Sequence, residues 1–98
     1  MTIDKKKQGT ELEIALSGRL DSVTAPQLEA ELENGLQGVT ALTLDFAGLE
    51  YLSSAGLRVL LAAQKTMNKQ GGMVIRHVNE TIMEVFEITG FSDILTIE

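Results

Sequence analysis

The segment ALTLDFAGLEYLSSAGLRVLL, residues 41–61, passes from an alternating apolar pattern to a helical one, and its reading decides the fold. Leu42, Leu44 and Phe46 share one face of a strand. Ala41 and Thr43 on the other face are small enough to be covered as well, which calls for helices on both sides of the sheet or close strand packing on one. From Ser54 onward Leu57, Leu60 and Leu61 fall at helical spacing, and the helix runs to about Gln70. Gly71-Gly72 then supply the conformational freedom that a helix C-cap needs. Between strand and helix, DFAGLEYLSS reads as a loop.

Working outward, MVIRHV (73–78) is a further apolar strand, and Asn79 caps a last helix, ETIMEVFEIT, with Ile82, Val85, Phe86 and Thr89 along one face. DILTIE is long enough for a short closing strand. On the N-terminal side, LEIALS (12–17) alternates Leu12, Ile14 and Leu16 with polar or small residues, a strand with one buried face. The Gln8-Gly9 turn before it predicts a hairpin with a short first strand near Ile3, its edge blunted by Lys5, Lys6 and Lys7. DSVTAPQLEAELENGL then carries Thr24 and Gln27 at capping-box spacing, Pro26 in the first turn, and Leu28, Leu32 and Leu36 on one face. The order is therefore ββαβαβαβ: an α/β fold with a mixed central sheet and parallel crossovers, expected as a single domain over residues 1–98.

Composition narrows the function. Fourteen acidic residues against 8 basic give a formal charge of -6, which repels phosphate backbones and anionic lipid. The four aromatic residues offer little for stacking on bases. With no cysteine and one histidine, thiolate catalysis, disulfides and Cys- or His-rich metal sites are excluded. MTIDKKKQGT has no apolar run after its charges, and no stretch approaches the roughly 18 apolar residues of a membrane span. The expectation is a soluble, cytoplasmic protein without direct contact to nucleic acid or insertion into membrane, and with no cofactor.

Ser53 and Ser54 stand where small residues give way to the apolar helix. A serine there caps the helix, acts as a nucleophile, or accepts a phosphate. Neither serine has Glu or Gln three residues on, and one cap uses one serine. The nucleophile reading needs a base; His77, the only histidine, sits at a strand end, and there is no G-x-S-x-G elbow. SSAGLR lacks the spacing of a phosphate-binding loop. Phosphoserine at a helix start would meet unpaired N–H groups and the positive end of the dipole, so modification is compatible with folding. Val59, Ala62 and Ala63 widen the apolar arc of this helix beyond one stripe, a sign of deeper burial or of a docking face.

LTLDFAGLEYLSSAGLRVLL resembles the signature of the STAS domain, in the group called anti-sigma factor antagonists. LSGRLDSVTAPQLEAEL resembles the family's strand, Gly-x-Leu-Asp turn and first helix, and FSDIL its C-terminal end. The resemblance implies a STAS fold and a non-enzymatic switch: unmodified, it captures an anti-sigma factor that is a serine kinase, freeing a sigma factor. Phosphorylation by that kinase ends the capture, and a metal-dependent serine phosphatase resets it. On this resemblance Ser54 is the phosphoacceptor, with Ser53 at the position often held by aspartate. Asp21, Ser53, Ser54, Gly56 and Arg58 are the implied partner surface, and Asp45 supports the phosphosite loop. As residues alone, Asp21 is a turn or cap aspartate, Asp45 a carboxylate capping backbone N–H groups, Gly56 a place for close approach, and Arg58 a solvated charge. A soluble STAS subunit bound to a membrane transporter's ATPase is the alternative, and an enzyme or nucleotide-binding module is opposed by the missing phosphate loop, metal cluster and base.

Overall fold

The computed structural model describes residues 1–98. Strands β1 (Thr2–Gln8) and β2 (Glu11–Leu20) form an antiparallel hairpin, followed by helix α1 (Ala25–Gly35), β3 (Ala41–Leu52), α2 (Ser54–Gln70), β4 (Gly72–Arg76), α3 (Glu80–Thr89) and a 3-10 turn, Phe91–Asp93. The hairpin pairs Gln8 with Glu11, so its turn is Gly9-Thr10, and Gly9 takes φ 63°, the left-handed region open to glycine. Strands lie in the order β1-β2-β3-β4, with β2, β3 and β4 parallel.

Because strand order equals chain order, right-handed crossovers place α1 and α2 on the same side of the sheet. That side carries Leu12, Ile14 and Leu16 of β2, Leu42, Leu44 and Phe46 of β3, and Met73 and Ile75 of β4, all buried. The third helix joins them, packing the Phe86 ring against Phe46 with centroids 6.4 Å apart and planes tilted by 34°. Together with Leu28 and Leu32 of α1 and Leu57, Val59, Leu60, Ala63 and Met67 of α2, these residues belong to a 24-residue core.

The fold is thus two layers, and the expectation of a covered second face is corrected. Ala15, Thr43 and Val74 are half-buried by their own neighbours, while Glu13 and Ala41 are exposed. Their small size reflects the flat surface of a sheet that no helix crosses.

Two further differences have local causes. The expected loop after Phe46 is the second half of β3: Gly48, Leu49, Tyr51 and Leu52 pair with Ser17, Gly18, Arg19 and Leu20 across two shifts of register. The shifts let Leu49 and Leu52, three residues apart, both reach the core. Gly48 is required there, since a Cβ would stand 2.5 Å from Ser17 Oγ and 3.3 Å from the Leu16 carbonyl oxygen.

The closing strand contracts to one parallel bridge, Ile75 to Ile97, after the 3-10 turn. Ile75 N–H donates to the Thr96 carbonyl and Glu98 N–H to the Ile75 carbonyl, both at 2.9 Å. DILTIE still supplies Leu95 to the core, but Phe91–Asp93 are taken by the turn that follows Gly90.

Phe86 is fully buried and ties α3 to the sheet. Phe86→Ala is expected to lower stability by about 3–5 kcal/mol, a large share of the ~5–15 kcal/mol typical of a domain. Urea unfolding followed by far-UV circular dichroism measures it; a loss under about 1 kcal/mol would mean that α3 is not fastened through this ring.

Candidate functional site

Strands β2 and β3 finish side by side, where Ser53 N–H donates to the Leu20 carbonyl at 2.9 Å. Two chain segments emerge from this seam. Asp21–Thr24 leads into α1, and Ser53 leads into α2.

The first segment is built around Asp21. Its Oδ1 accepts from Val23 N–H at 3.0 Å and Thr24 N–H at 3.1 Å, while its own N–H donates to Thr24 Oγ1 at 2.9 Å. Ala25 N–H donates to the Asp21 carbonyl, and Thr24 Oγ1–H to the Arg19 carbonyl. The Thr24–Gln27 capping box is therefore corrected: Thr24 precedes α1 in a helical conformation, makes no side-chain cap bond, and turns its hydroxyl back toward the strand. Asp21 is the residue that organises the start of α1, as a turn aspartate does.

The Thr24 N–H above all holds the Asp21 carboxyl below its ordinary value; desolvation opposes it, and the Val23 N–H, the Thr24 hydroxyl and the Arg19 charge add to the lowering. The carboxylate is committed largely to its own loop. One consequence is that Val23 is displayed at the loop tip, 83% exposed.

The two serines separate cleanly. Ser53 has extended backbone, φ -99° and ψ 175°, and its Oγ accepts from Gly56 N–H at 3.5 Å, a long cap bond. Ser54 is the first residue of a 17-residue helix, exposed, with no intramolecular partner for its hydroxyl. Arg58 lies one turn further along α2, also exposed and without an ion pair, on the face it shares with Ser54.

Gly56 is buried, which removes it from any surface open to a partner. A Cβ there would stand 2.7 Å from Leu52 Cδ1 and 2.8 Å from Leu20 Cγ, so the glycine serves to seat the helix start on the ends of β2 and β3. Its close approach is to the molecule's own side chains.

Asp45 lies elsewhere. Its Oδ1 accepts from Ala47 N–H and pairs with His77 Nδ1, each at 2.9 Å. These two bonds, in that order, keep its carboxyl below the ordinary value despite some desolvation. The extended chain from Asp45 to Leu52 spans up to about 23 Å at about 3.3 Å per residue, and no bond links Asp45 to either serine. Asp45 caps the Ala47 N–H in the segment that leads to the serines, as a capping carboxylate does, and through His77 it also fastens the end of β4. Beside it, His77 holds φ 60°, and Asn79 donates to the Leu49 carbonyl at 3.0 Å while capping α3 through Ile82 N–H at 2.8 Å.

Sequence reasoning did not single out Val23, Arg19 or Tyr51. Tyr51 is 41% exposed at the end of β3, with the Arg19 guanidinium 4.1 Å from its ring centroid. The available signal was Val23 itself, an apolar residue in a turn where the helical stripe does not use it. The site thus has a free hydroxyl, one unpaired cation and two exposed hydrophobic side chains, as a binding surface has. The lone histidine is engaged with Asp45, no helix is long and apolar enough to cross a membrane, and no group of three acidic or histidine side chains is placed to hold a metal ion.

Comparison with known proteins agrees with this picture. The family model described as "Mlab, STAS domain" matches residues 3–96. BtrV of Bordetella bronchiseptica, assigned as an anti-sigma factor antagonist, is 42% identical over 84 residues, covering 84% of this chain and 72% of BtrV. Among solved structures, an anti-sigma factor antagonist from Mycobacterium paratuberculosis superposes with a TM-score of 0.88 at 25% identity, covering 98% of this chain and 83% of that one. SpoIIAA of Bacillus, solved in its phosphorylated form, gives 0.77 at 19% identity over 99% of this chain and 91% of its own, a likeness of fold.

Asp21 and Asp45 have depressed values in the folded state, so each contributes stability above the free aspartate value of about 3.9, and that contribution disappears as pH falls through the folded values. The stability gap between the wild type and an Asp21→Ala, Asp45→Ala variant should be full at pH 7 and close as pH drops below about 3.9. Urea unfolding at a series of pH values reads the gap; one that is the same at pH 3 as at pH 7 would contradict the assigned bonds.

Proposed function

The chain belongs to the STAS family as an anti-sigma factor antagonist, and from that premise we propose that it is a phosphorylation-controlled binding switch whose phosphoacceptor is Ser54. Unmodified, it captures an anti-sigma factor that is a serine kinase and so frees a sigma factor; the kinase phosphorylates Ser54 and is released, and a metal-dependent phosphatase restores the hydroxyl. The observation that supports the assignment is the division of labour between adjacent serines. Ser53 spends its oxygen on the Gly56 N–H, whereas the Ser54 hydroxyl is exposed and unengaged.

The partner surface in this reading is Ser54 and Arg58, joined by Val23 and the Tyr51–Arg19 pair from the ends of β2 and β3, with Ser53 and Asp21 holding the two segments in place. The chain acts by binding and not by turnover, since neither serine has a base within reach and His77 is engaged elsewhere. The transporter-subunit alternative has less behind it, because the relatives described above are anti-sigma factor antagonists.

The kinase recovered with the tagged chain from its source cell, supplied with ATP and magnesium, should add one phosphate, mapped by peptide mass spectrometry to Ser54. Ser54→Ala should abolish incorporation. Ser53→Ala should still be phosphorylated while losing about 1 kcal/mol of stability through its cap. Phosphate found on Ser53 would overturn the assignment.

Phosphorylation should also separate affinity from stability. Within the domain the new charge meets the positive end of α2, favourable by about 0.3–1 kcal/mol, so the melting temperature should hold or rise slightly. At the interface the dianion must be desolvated against a surface fitted to a hydroxyl, and a loss of about 2.7 kcal/mol is a hundredfold in Kd. Titration calorimetry and thermal melting on both forms test this; weakened binding that only follows a collapse in melting temperature would make Ser54 a structural residue.

A further inference from the structure

Resting on the reading of Ser54 as the centre of a partner surface, we propose that this surface continues down the groove between α1 and α2, and that the groove takes an amphipathic segment of the anti-sigma factor, aliphatic on one side with lysine or arginine beside it. The groove offers a cavity volume of about 210 Å³. Its floor is aliphatic, formed by Leu32 of α1 and Val59 and Ala63 of α2. On the α2 side the wall is low, because exposed Ala62 leaves room that a longer side chain would fill.

The α1 side is acidic. Glu29 and Glu33 stand one turn apart, both exposed, with no cation paired to either; the one ion pair of α1 joins Glu31 to Lys5. Two like charges at this spacing repel mildly in the free protein, and a cation laid along the groove relieves the repulsion. The formal charge of -6 draws the same kind of segment and opposes a second copy of this chain, an anionic lipid surface or a nucleic acid.

Continuity with the Ser54 end supplies the identity of the occupant. Glu29 and Val59 also line the shallow pocket formed with Ser22, Ala55 and Arg58 at the head of the groove. A partner seated over Ser54 therefore meets the upper groove without a break. At the lower end Gln70 donates to the Leu36 and Val39 carbonyls at 2.7 and 2.8 Å, tying the end of α2 to the chain that leaves α1. The groove is fixed before anything binds, which lowers the ordering cost of filling it.

The test uses two probes on the whole chain. The first is a capped peptide of about sixteen residues with leucine at every third or fourth position and lysine beside each, the pattern of a helix laid in a groove. Titrated into 15N-labelled protein, it should shift the amide signals of Glu29, Glu33, Ala62 and Thr66, bind more weakly as salt rises, and lose at least about tenfold in affinity with Ala62→Arg. The second probe is the kinase recovered with the tagged chain. Its affinity should fall at least about tenfold with Ala62→Arg and at least about threefold with Glu29→Gln, Glu33→Gln, at unchanged melting temperature.

Shifts on the open sheet face, equal binding of a peptide with glutamate in place of lysine, or wild-type affinity of the kinase for Ala62→Arg would overturn the proposal. Self-association that shifts the same signals would overturn it in favour of a second copy. Ser54→Asp separates the two readings. It should weaken the kinase but leave the lysine peptide in the lower groove, so failure of one assignment does not carry the other with it.

Discussion

The hydrogen bond from Ser53 N–H to the Leu20 carbonyl is the constraint on which the site depends. It closes the ends of two parallel strands on each other and fixes where β3 stops and α2 begins. Gly56, three residues on, then drops between Leu20 and Leu52 at a distance no side chain tolerates, so the first turn of α2 has one available position. That position turns one serine into a cap and leaves the next with a free hydroxyl. The polar surface is a by-product of apolar packing directly beneath it.

Much of this was legible in the sequence because burial and periodicity carry it. Leu12, Ile14, Leu16, Leu42, Leu44 and Phe46 announced their strands, and Asn79 and Gly71 marked helix ends where the structure has them. Three features were illegible for physical reasons. The second half of β3 pairs through shifted register, so Leu49 and Leu52 do not alternate with Leu42 to Phe46. Thr24 and Gln27 fit a capping box by spacing, but Asp21 offers the Thr24 N–H a charged acceptor, and the Gln27 N–H goes to the Thr24 carbonyl instead of its hydroxyl. The uncovered sheet face follows from strand order, which no local pattern encodes.

Within the site, sequence identified residue types better than their tasks. Gly56 reads as surface, yet it lies under the helix, and Asp45 caps the Ala47 N–H while also holding the end of β4 through His77. Val23 and Tyr51 went unnoticed because a single exposed hydrophobic residue is ordinary; what gives them meaning is that they stand on the two segments at the joined ends of β2 and β3, one of which goes on to the unengaged hydroxyl. Juxtaposition of that sort belongs to tertiary structure alone.

Strand order that equals chain order has a consequence for how the protein is made. At the ribosome, chain emerges at about 5–20 residues per second, N-terminus first, and here each new strand finds its partner already present: β2 meets β1, β3 meets β2, β4 meets β3. No strand must wait for a later one to be inserted beside it. The exposed edge simply moves forward as translation proceeds, from β2 to β3 to β4, and it is then met by the Ile97 bridge, which emerges after all four strands.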